Sequence, residues 1–190
     1  MTIRSRNRVH DRLILDALEA IAPEPFQHDV WRVARKGRDP VRGSGANGRW
    51  SPPGEFEVLY ASLLREGAEA EVGYRLSLEP VWPSLLEHEA HQLALKLVRA
   101  LRFADLSKLE PLGVNINKYE SFEYEKTQDI ASAAHFLEFD GLIVPSARYD
   151  CSNAVIFIDR LDGGHVEVKD TKEVDWSDWR KKSQGFRERM

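Results

Sequence analysis

A glycine- and proline-rich stretch of twenty residues, 35–54, limits the folds open to this chain more than any other feature. Its helix- and strand-breaking residues are Gly37, Pro40, Gly43, Gly45, Gly48, Pro52, Pro53 and Gly54. Neither a regular helix nor a central strand tolerates that density, because proline removes a backbone donor and glycine costs conformational entropy. A structureless loop of this length inside a compact domain is uncommon and often functional. We therefore expect a binding site beside this loop.

Length and composition indicate one soluble domain. The 190 residues are 42% apolar and 31% charged, which is enough for a hydrophobic core. The net charge of -4 argues against a nucleic-acid partner, since phosphate binding needs a positive field. The single cysteine, Cys151, fits a reducing compartment. No signal-peptide pattern follows the basic N-terminus, and no apolar run approaches the ~20 residues that cross a membrane, so we expect a cytoplasmic protein.

Hydrophobic patterning predicts an α+β fold with many short strands. A helix-period stripe begins at Asp11 and ends before Pro23 and Pro25. Further helices are predicted over residues 63–70, 83–101 and 127–136, and strands over 28–34, 56–61, 72–78, 141–145, 153–158 and 165–169. The run at 153–158 is continuously apolar, which favours a central strand. Residues 1–10 are expected to form a loose arm. Residues 175–190 form a polar tail, either an ordered last turn or an interaction segment.

Residues in and around the glycine-rich loop have the chemistry of a dinucleotide pocket. Glycines let the backbone approach a phosphate, and the planar guanidinium groups of Arg32 and Arg49 suit a diphosphate. Trp50 or Tyr60 offers a ring face for a flat ligand. A carboxylate such as Glu71 can bind a ribose hydroxyl and stabilise positive charge that develops on the sugar.

The order and spacing of these motifs resemble the RES domain family. The matching segments are Trp31-Arg32-Val33, Gly48-Arg49-Trp50, Val58-Leu59-Tyr60, Glu71, Pro145-Ser146-Ala147-Arg148 and Asn153-Ala154-Val155-Ile156-Phe157. Glu71 follows Tyr60 by eleven residues, as the family's pattern requires. The resemblance covers residues 28–160. Each motif alone is unspecific, and the order of all six carries the resemblance.

The resemblance implies a compact single domain of short, mostly antiparallel strands with flanking helices, similar to the ADP-ribosyltransferase toxins. It implies the toxin of a bacterial toxin–antitoxin pair, which binds NAD and cleaves the nicotinamide–ribose bond by hydrolysis or phosphorolysis. Alternatives are a mono-ADP-ribosyltransferase acting on a protein and a non-catalytic partner-binding module. The implied partner is a helix-turn-helix, Xre-like antitoxin, with a possible homo-oligomer inside the complex. No metal and no cofactor beyond NAD as the substrate is implied.

The resemblance also implies roles for individual residues. Arg32 and Arg49 would hold the diphosphate or ribose, and Tyr60 would pack on the nicotinamide side. Glu71 would stabilise an oxocarbenium-like transition state, and Ser146 would fix the ribose or the nicotinamide amide. The remaining substrate contacts would come from Gly48, Trp50 and Asn153.

Several alternatives stay open at this point. Glu69 lies two residues from Glu71 and could be the key carboxylate if the helix is offset. Ser146 follows a proline, so it could be an ordinary turn serine. Residues 76–124 do not align with the family's pattern. Ser51 stands where the family often has Asn, and residues 149–152 replace a glycine-rich turn, so the substrate contacts at these two places are expected to differ from the family's.

Three other signals do not support a function. His88 and His91 are spaced i, i+3 rather than the i, i+4 of the metalloprotease helix, so a solvated helix is the favoured interpretation. No Gly-x-Ser-x-Gly nucleophile elbow occurs. Cys151 has no histidine near it in sequence, so a small buried thiol is favoured over a nucleophile.

Overall fold

The computed structural model describes residues 9–187, and within that range the chain forms six β-strands and four α-helices. The strands are β1 (Glu24–Arg35), β2 (Val58–Ser62), β3 (His88–Arg102), β4 (Gly141–Pro145), β5 (Ser152–Phe157) and β6 (His165–Glu173). The helices are α1 (Arg12–Glu19), α2 (Arg65–Ser77), α3 (Glu125–Phe136) and α4 (Trp176–Arg187). The predicted α+β class is confirmed, as are the first helix, the helix at 127–136 and five of the six predicted strands. Most of the expected N-terminal arm, residues 1–8, lies outside the described range.

The strands form one sheet, and the series of strand pairings that begins at β1 ends at β1 again. β1 pairs with β3, β2 with β5, and β5 with β4, all antiparallel. β4 runs parallel to the end of β3, and β2 meets β1 where Ser62 pairs with Trp31. β6 pairs with β3 and lies outside this closed series of strands. Because β5 lies between β2 and β4, the prediction of a central strand at 153–158 is confirmed.

Both faces of the central strands are covered by apolar side chains. Leu142 and Val155 point into a core shared with α1 and α3, whereas Ile143 and Ile156 point into a second core shared with β1 and β3. Successive strand residues face opposite sides, so a strand covered on both sides must be apolar throughout. Each of these four side chains is fully buried, and such burial stabilises the fold by about 1.5–3 kcal/mol per side chain.

The predicted strand at residues 72–78 is wrong, because these residues continue α2 to Ser77. The alternation of Val72, Tyr74 and Leu76 suggested a strand. Val72 and Leu76 are also four residues apart, and both pack on one side of α2 against a cluster around Trp176. The spacing of the apolar residues is therefore compatible with a strand and with a helix. The helix forms because it packs one of its faces against this cluster.

The predicted helix at residues 83–101 is also wrong, because residues 88–102 form β3, the longest strand in the described range. Leu93, Leu95 and Leu97 are all buried and alternate with less buried residues, which is the strand period. Pairing with β1 on one edge and with β6 and β4 on the other overrides the helix propensity of leucine.

The two histidines of β3 are therefore not on a solvated helix, and that interpretation is corrected. His88 and His91 are 6% and 4% exposed. His91 Nδ1 lies 2.9 Å from Thr171 Oγ1, and the indole Nε1–H of Trp176 donates to His88 Nδ1 at 3.1 Å. Burial lowers the pKa of both imidazoles, so they are neutral near pH 7.

The C-terminal segment is an ordered helix, α4, that packs on the domain. Trp176 is 8% exposed, and its ring lies edge-on to Trp82 and Trp179 at centroid distances of 6.0 and 5.6 Å. Trp179 also fills the space beside Gly73 of α2, where an added Cβ would lie 2.4 Å from the indole ring. None of the helices within residues 9–187 is long and apolar enough to cross a membrane.

The contact between Gly73 and Trp179 gives a stability prediction. Gly73→Ala should lower the free energy of unfolding by about 1–3 kcal/mol, because the methyl group overpacks the contact between α2 and α4. In a Trp179→Ala background the same change should be neutral, or stabilising by up to ~1 kcal/mol, because alanine is the better helix former. Urea unfolding of the four proteins measures both values. Equal destabilisation in the two backgrounds would contradict the docking of α4 on α2.

Candidate functional site

Three of the residues predicted for the site meet at the carboxylate of Glu71. Glu71 lies in the middle of α2, Ser146 directly follows β4, and Asn153 lies in β5. The Ser146 hydroxyl donates to Glu71 Oε1 at 2.8 Å, and the Asn153 amide Nδ2 donates to the same oxygen at 2.9 Å. No described residue donates a hydrogen bond to Glu71 Oε2. One oxygen is thus held in place while the other remains available to a ligand.

A fourth residue, Ser62, orients the amide of Asn153. Ser62 ends β2, is 2% exposed, and donates from Oγ to Asn153 Oδ1 at 2.6 Å. Because Oδ1 accepts from Ser62, the NH2 end of the amide is turned towards Glu71. β2 and β5 pair Ser62 with Asn153 directly, so this contact follows from the sheet register. We call Ser62, Glu71, Ser146 and Asn153 the Glu71 cluster.

The neighbouring carboxylate, Glu69, has a different partner. Its Oε1 accepts from Arg65 Nε at 2.7 Å, an i, i+4 ion pair along α2. Two positions along a helix turn a side chain by about 200°, so Glu69 and Glu71 face different directions. This geometry favours Glu71 over Glu69 as the carboxylate that a ligand would meet.

Arg49 lies close to the Glu71 cluster, between two tyrosine rings. Its guanidinium carbon is 4.7 Å from the ring centroid of Tyr119 and 4.9 Å from that of Tyr124. Nη2 donates to the Ser121 carbonyl at 3.0 Å. Burial lowers the pKa of Arg49, yet a guanidinium stays charged in proteins, so the group is a partly desolvated cation. A desolvated cation attracts an anion more strongly than one in open water does.

Tyr60 and Gly48 contact each other at the base of the glycine-rich loop. The Tyr60 hydroxyl oxygen accepts the Trp50 backbone N–H at 2.9 Å. A Cβ at Gly48 would lie 2.8 Å from this hydroxyl, so no larger residue fits there without a shift. Burial raises the pKa of Tyr60, which therefore stays a neutral phenol. These contacts give Gly48 a packing role in addition to the phosphate approach expected from sequence.

Trp50 and Arg32 are placed by the structure in supporting positions. Trp50 is 2% exposed and belongs to the core beside α1 and α3, so its ring face is not open to a ligand. Arg32 Nη1 donates to the Tyr60 carbonyl at 3.2 Å and Nη2 to the Arg42 carbonyl at 3.3 Å. Burial lowers the pKa of Arg32. Arg32 thus ties β1 to β2 and to the loop.

Sequence reasoning missed a second arginine beside the cluster, Arg148, together with its aromatic partner. The guanidinium carbon of Arg148 lies 3.6 Å from the ring centroid of Tyr74, and its Nη2 donates to the Glu120 carbonyl at 2.7 Å. The backbone N–H of Arg148 donates to Ser146 Oγ at 3.1 Å. The sequence predicts a strand at Tyr74, and the tyrosines around Arg49 lie in residues 76–124, which do not align with the family's pattern. The only sequence signal for Arg148 was its place directly after Pro-Ser-Ala.

Cys151 is packed against α2 beside the cluster. A Cβ at Gly67 would lie 2.4 Å from its Sγ. Burial, together with the nearby charge of Glu71, raises the pKa of the Cys151 thiol to about 11. Within residues 9–187 no group of three or more His, Cys, Asp or Glu side chains is arranged to hold a metal ion.

A cavity of about 640 Å³ lies elsewhere, beside α4, and is lined by Trp82, Glu87, His88, Trp176 and Arg180, among others. None of the predicted site residues lines it. We place the candidate site at the Glu71 cluster, because three of the predicted site residues meet there and a carboxylate held by two donors beside a partly buried cation is typical of a functional site.

The raised pKa of Cys151 predicts a slow thiol. At pH 8 the thiolate fraction should be roughly two-hundredfold lower than in an unstructured cysteine peptide, whose pKa is about 8.5. Alkylation of the folded protein by iodoacetamide should be slower by a similar factor and should approach the peptide rate in denaturant. An equal rate in the folded protein and the peptide would contradict the burial described for this thiol.

Comparison with known proteins identifies the family of this chain and a solved structure with a similar fold. The chain is 24% identical over 143 residues to the "NAD(+) phosphorylase MbcT" of Mycobacterium tuberculosis, covering 72% of this chain and 77% of the relative. The same identity and coverage hold for the MbcT of Mycobacterium bovis. The fold is similar to a crystal structure of the M. tuberculosis MbcT–MbcA toxin–antitoxin complex, with a TM-score of 0.78 at 18% identity over 90% of this chain and 97% of that one. The RES domain model matches residues 29–177, and the chain belongs to the RES domain family.

Proposed function

We propose that this chain is a toxin that consumes NAD by cleaving the bond between nicotinamide and ribose. The observation that carries the proposal is the Glu71 carboxylate, held at Oε1 by Ser146 and Asn153 and flanked by the cation of Arg49. Further support comes from RES membership and from relatives named as NAD(+) phosphorylases. NAD is the substrate, and the proposed reaction needs no other cofactor.

The chemistry suits a carboxylate that is held in a fixed position. The nicotinamide ring of NAD is already cationic, so it leaves as a neutral molecule when the C1–N bond breaks and takes the bonding electron pair with it. Positive charge then develops on the ribose carbon, and a fixed carboxylate stabilises that charge most in the transition state. Attack by water or by phosphate completes the reaction. Glu71 supplies the negative charge, and the hydroxyl of Ser146 and the amide of Asn153 hold it in place.

The remaining residues fit supporting roles in this proposal. Arg49 is positioned to bind phosphate oxygens, and Tyr60 offers a neutral ring edge at the base of the loop. Arg32 orders the loop through the carbonyls of Tyr60 and Arg42. Trp50 is left out of the ligand contacts because its ring is buried in the core.

We also propose an antitoxin partner and a cytoplasmic location. A protein that drains NAD must be held inactive in the cell that makes it. The related MbcT was crystallised in a complex with its antitoxin MbcA. A helix-turn-helix antitoxin that covers the Glu71 cluster would meet that need, and a homo-oligomer of the toxin within such a complex is compatible with the fold.

The proposal is tested by measuring intracellular NAD after brief induction of the wild type, Glu71→Ala and Glu69→Ala. NAD should fall with the wild type and with Glu69→Ala, whose carboxylate is engaged by Arg65 on the same helix. It should stay constant with Glu71→Ala at equal protein level. If all three proteins deplete NAD equally, Glu71 is not the key carboxylate. If none does, and ADP-ribose is then found attached to protein, the chain is a mono-ADP-ribosyltransferase instead.

Ser62 should affect the reaction only through Asn153. Ser62→Ala frees the Asn153 amide to rotate, so kcat for nicotinamide release should fall about tenfold while KM for NAD stays within twofold, as expected for loss of about 1.4 kcal/mol in the transition state alone. In an Asn153→Ala background, the same change should have no further effect. Additive losses in the double variant would show that Ser62 acts by another route.

A further inference from the structure

A row of polar side chains crosses three neighbouring strands next to the glycine-rich loop. Arg32 of β1 lies directly opposite His91 of β3, and His91 lies directly opposite Thr171 of β6. Side chains of directly opposed residues lie on the same face of an antiparallel sheet. The three side chains are therefore neighbours, and Arg32 links them to the loop because its Nη2 donates to the Arg42 carbonyl. We call Arg32, His91 and Thr171 the cross-strand row.

Two buried atoms of the cross-strand row have no hydrogen-bond partner within residues 9–187. These atoms are Arg32 Nε and His91 Nε2. The Nε–H of a guanidinium can only donate, whereas an imidazole nitrogen that carries no proton can only accept. Most buried polar atoms in native proteins have a partner, because an unpaired one destabilises the fold. A donor that lacks an acceptor and a histidine nitrogen that lacks a donor therefore lie on directly opposed residues.

The contact between His91 and β6 determines which ring nitrogen faces Arg32. Nδ1 lies 2.9 Å from Thr171 Oγ1, and β3 lies between β6 and β1, so Nε2 on the other side of the ring is turned towards β1. A proton on Nε2 would meet the Nε–H of Arg32 with a second donor, whereas a proton on Nδ1 donates to Thr171 and leaves Nε2 to accept. Glu89 Oε2 is 4.0 Å from Nε2, which is too far for a hydrogen bond.

Arg32 joins β1 to the base of the glycine-rich loop. Its Nη1 donates to the Tyr60 carbonyl at 3.2 Å, and the Tyr60 hydroxyl in turn accepts the Trp50 N–H of the loop. β1 and β2 have one residue pair in register, Trp31 with Ser62, so the contacts of Arg32 add a second link between these strands. A hydrogen bond at Nε fixes the third nitrogen of the guanidinium, which then cannot swing away from the carbonyls of the loop and of β2.

We propose that His91 is a positioning residue whose Nε2 accepts the Nε–H of Arg32 and so holds the glycine-rich loop in place. The inference rests on the proposed function, because the same loop carries Arg49, which is positioned to bind phosphate oxygens of NAD. Within residues 9–187 the side chain of His91 bonds Thr171 and no member of the Glu71 cluster, so its effect passes through Arg32. A looser loop weakens the binding of NAD in the ground state and in the transition state alike, so KM rises while kcat is kept.

The test measures kcat and KM for NAD in nicotinamide release by purified variants. His91→Leu, which has a similar size but no acceptor, should raise KM about tenfold and leave kcat within twofold. His91→Gln places an amide oxygen near the position of Nε2, so its KM should stay within twofold of the wild type. Arg32→Lys keeps the positive charge but lacks the Nε–H, so His91→Leu should have no further effect in that background.

His88→Leu is the matched control. His88 lies on the same strand, is buried to a similar extent, and faces the opposite side of the sheet, where it accepts from Trp176. His88→Leu should lower the free energy of unfolding and leave KM for NAD within twofold. Three outcomes would overturn the inference. They are an equal rise of KM in His88→Leu and His91→Leu, a His91→Gln that behaves like His91→Leu, and additive losses in the double variant with Arg32→Lys.

Failure of the proposed function is recognised separately, by wild-type protein that releases no nicotinamide. In that case, NMR of the arginine side chains tests the contact without substrate, through the rate at which the Nε–H of Arg32 exchanges with water. Exchange should be slow in the wild type, His91→Gln and His88→Leu, and faster by tenfold or more in His91→Leu. Equal exchange in the wild type and His91→Leu would contradict the bond between His91 and Arg32.

Discussion

The hydrogen bonds to Glu71 Oε1 are the interaction on which the site depends, because they join α2 to β5 and to the turn that follows β4. A carboxylate drawn away from water must keep its hydrogen bonds, and bonds to a charged group contribute about 1.5–3 kcal/mol each. The order β2–β5–β4 supplies the donors. It places Asn153 opposite Ser62 and brings the turn after β4 next to the same helix. The site is thus a consequence of sheet topology rather than of loop conformation alone.

The side chains around this carboxylate are of two kinds, neutral groups and cations. Tyr60 and Cys151 are kept neutral by burial, which raises the pKa of each. The two arginines next to the cluster pack against aromatic rings instead of against carboxylates. Glu71 therefore does not lose its charge to a permanent ion pair, and the cations remain available for an anionic ligand. This is the arrangement that a reaction of NAD requires, since the substrate has a positive ring, a reacting sugar and negative phosphates.

The site residues could be predicted from their sequence motifs. The strands could be predicted only where their packing leaves a distinctive apolar pattern in the sequence. Glu71, Ser146 and Asn153 were identified by the order of their motifs, and their meeting at one oxygen agrees with that choice. The central strand β5 was predictable because a strand buried on both faces must be apolar throughout. β3 was not, because its leucines suit a helix locally and only pairing with β1, β4 and β6 makes it a strand.

The aromatic environment of the arginines could not be predicted from sequence for a related reason. Tyr74 and Tyr119 lie far apart in the chain and far from Arg49 and Arg148, and no periodic pattern connects them. Tyr119 contacts Arg49 because the segment after β3 folds back over the glycine-rich loop, and Tyr74 contacts Arg148 because the turn after β4 lies against α2. Ser62 was missed similarly, because a single serine at a strand end is unremarkable until the register sets it against Asn153.

We attribute the cleavage of NAD to the charge of Glu71 rather than to its shape, and a comparison of purified wild type with Glu71→Gln separates the two properties. Glutamine has the same size, and its amide oxygen can accept the same two hydrogen bonds. The measurement is kcat for nicotinamide release, together with the Kd for NAD. If the charge drives the reaction, Glu71→Gln should have a similar Kd and a kcat lower by about a thousandfold, as for loss of a main electrostatic group in a transition state. A kcat within a few-fold of the wild type would contradict it.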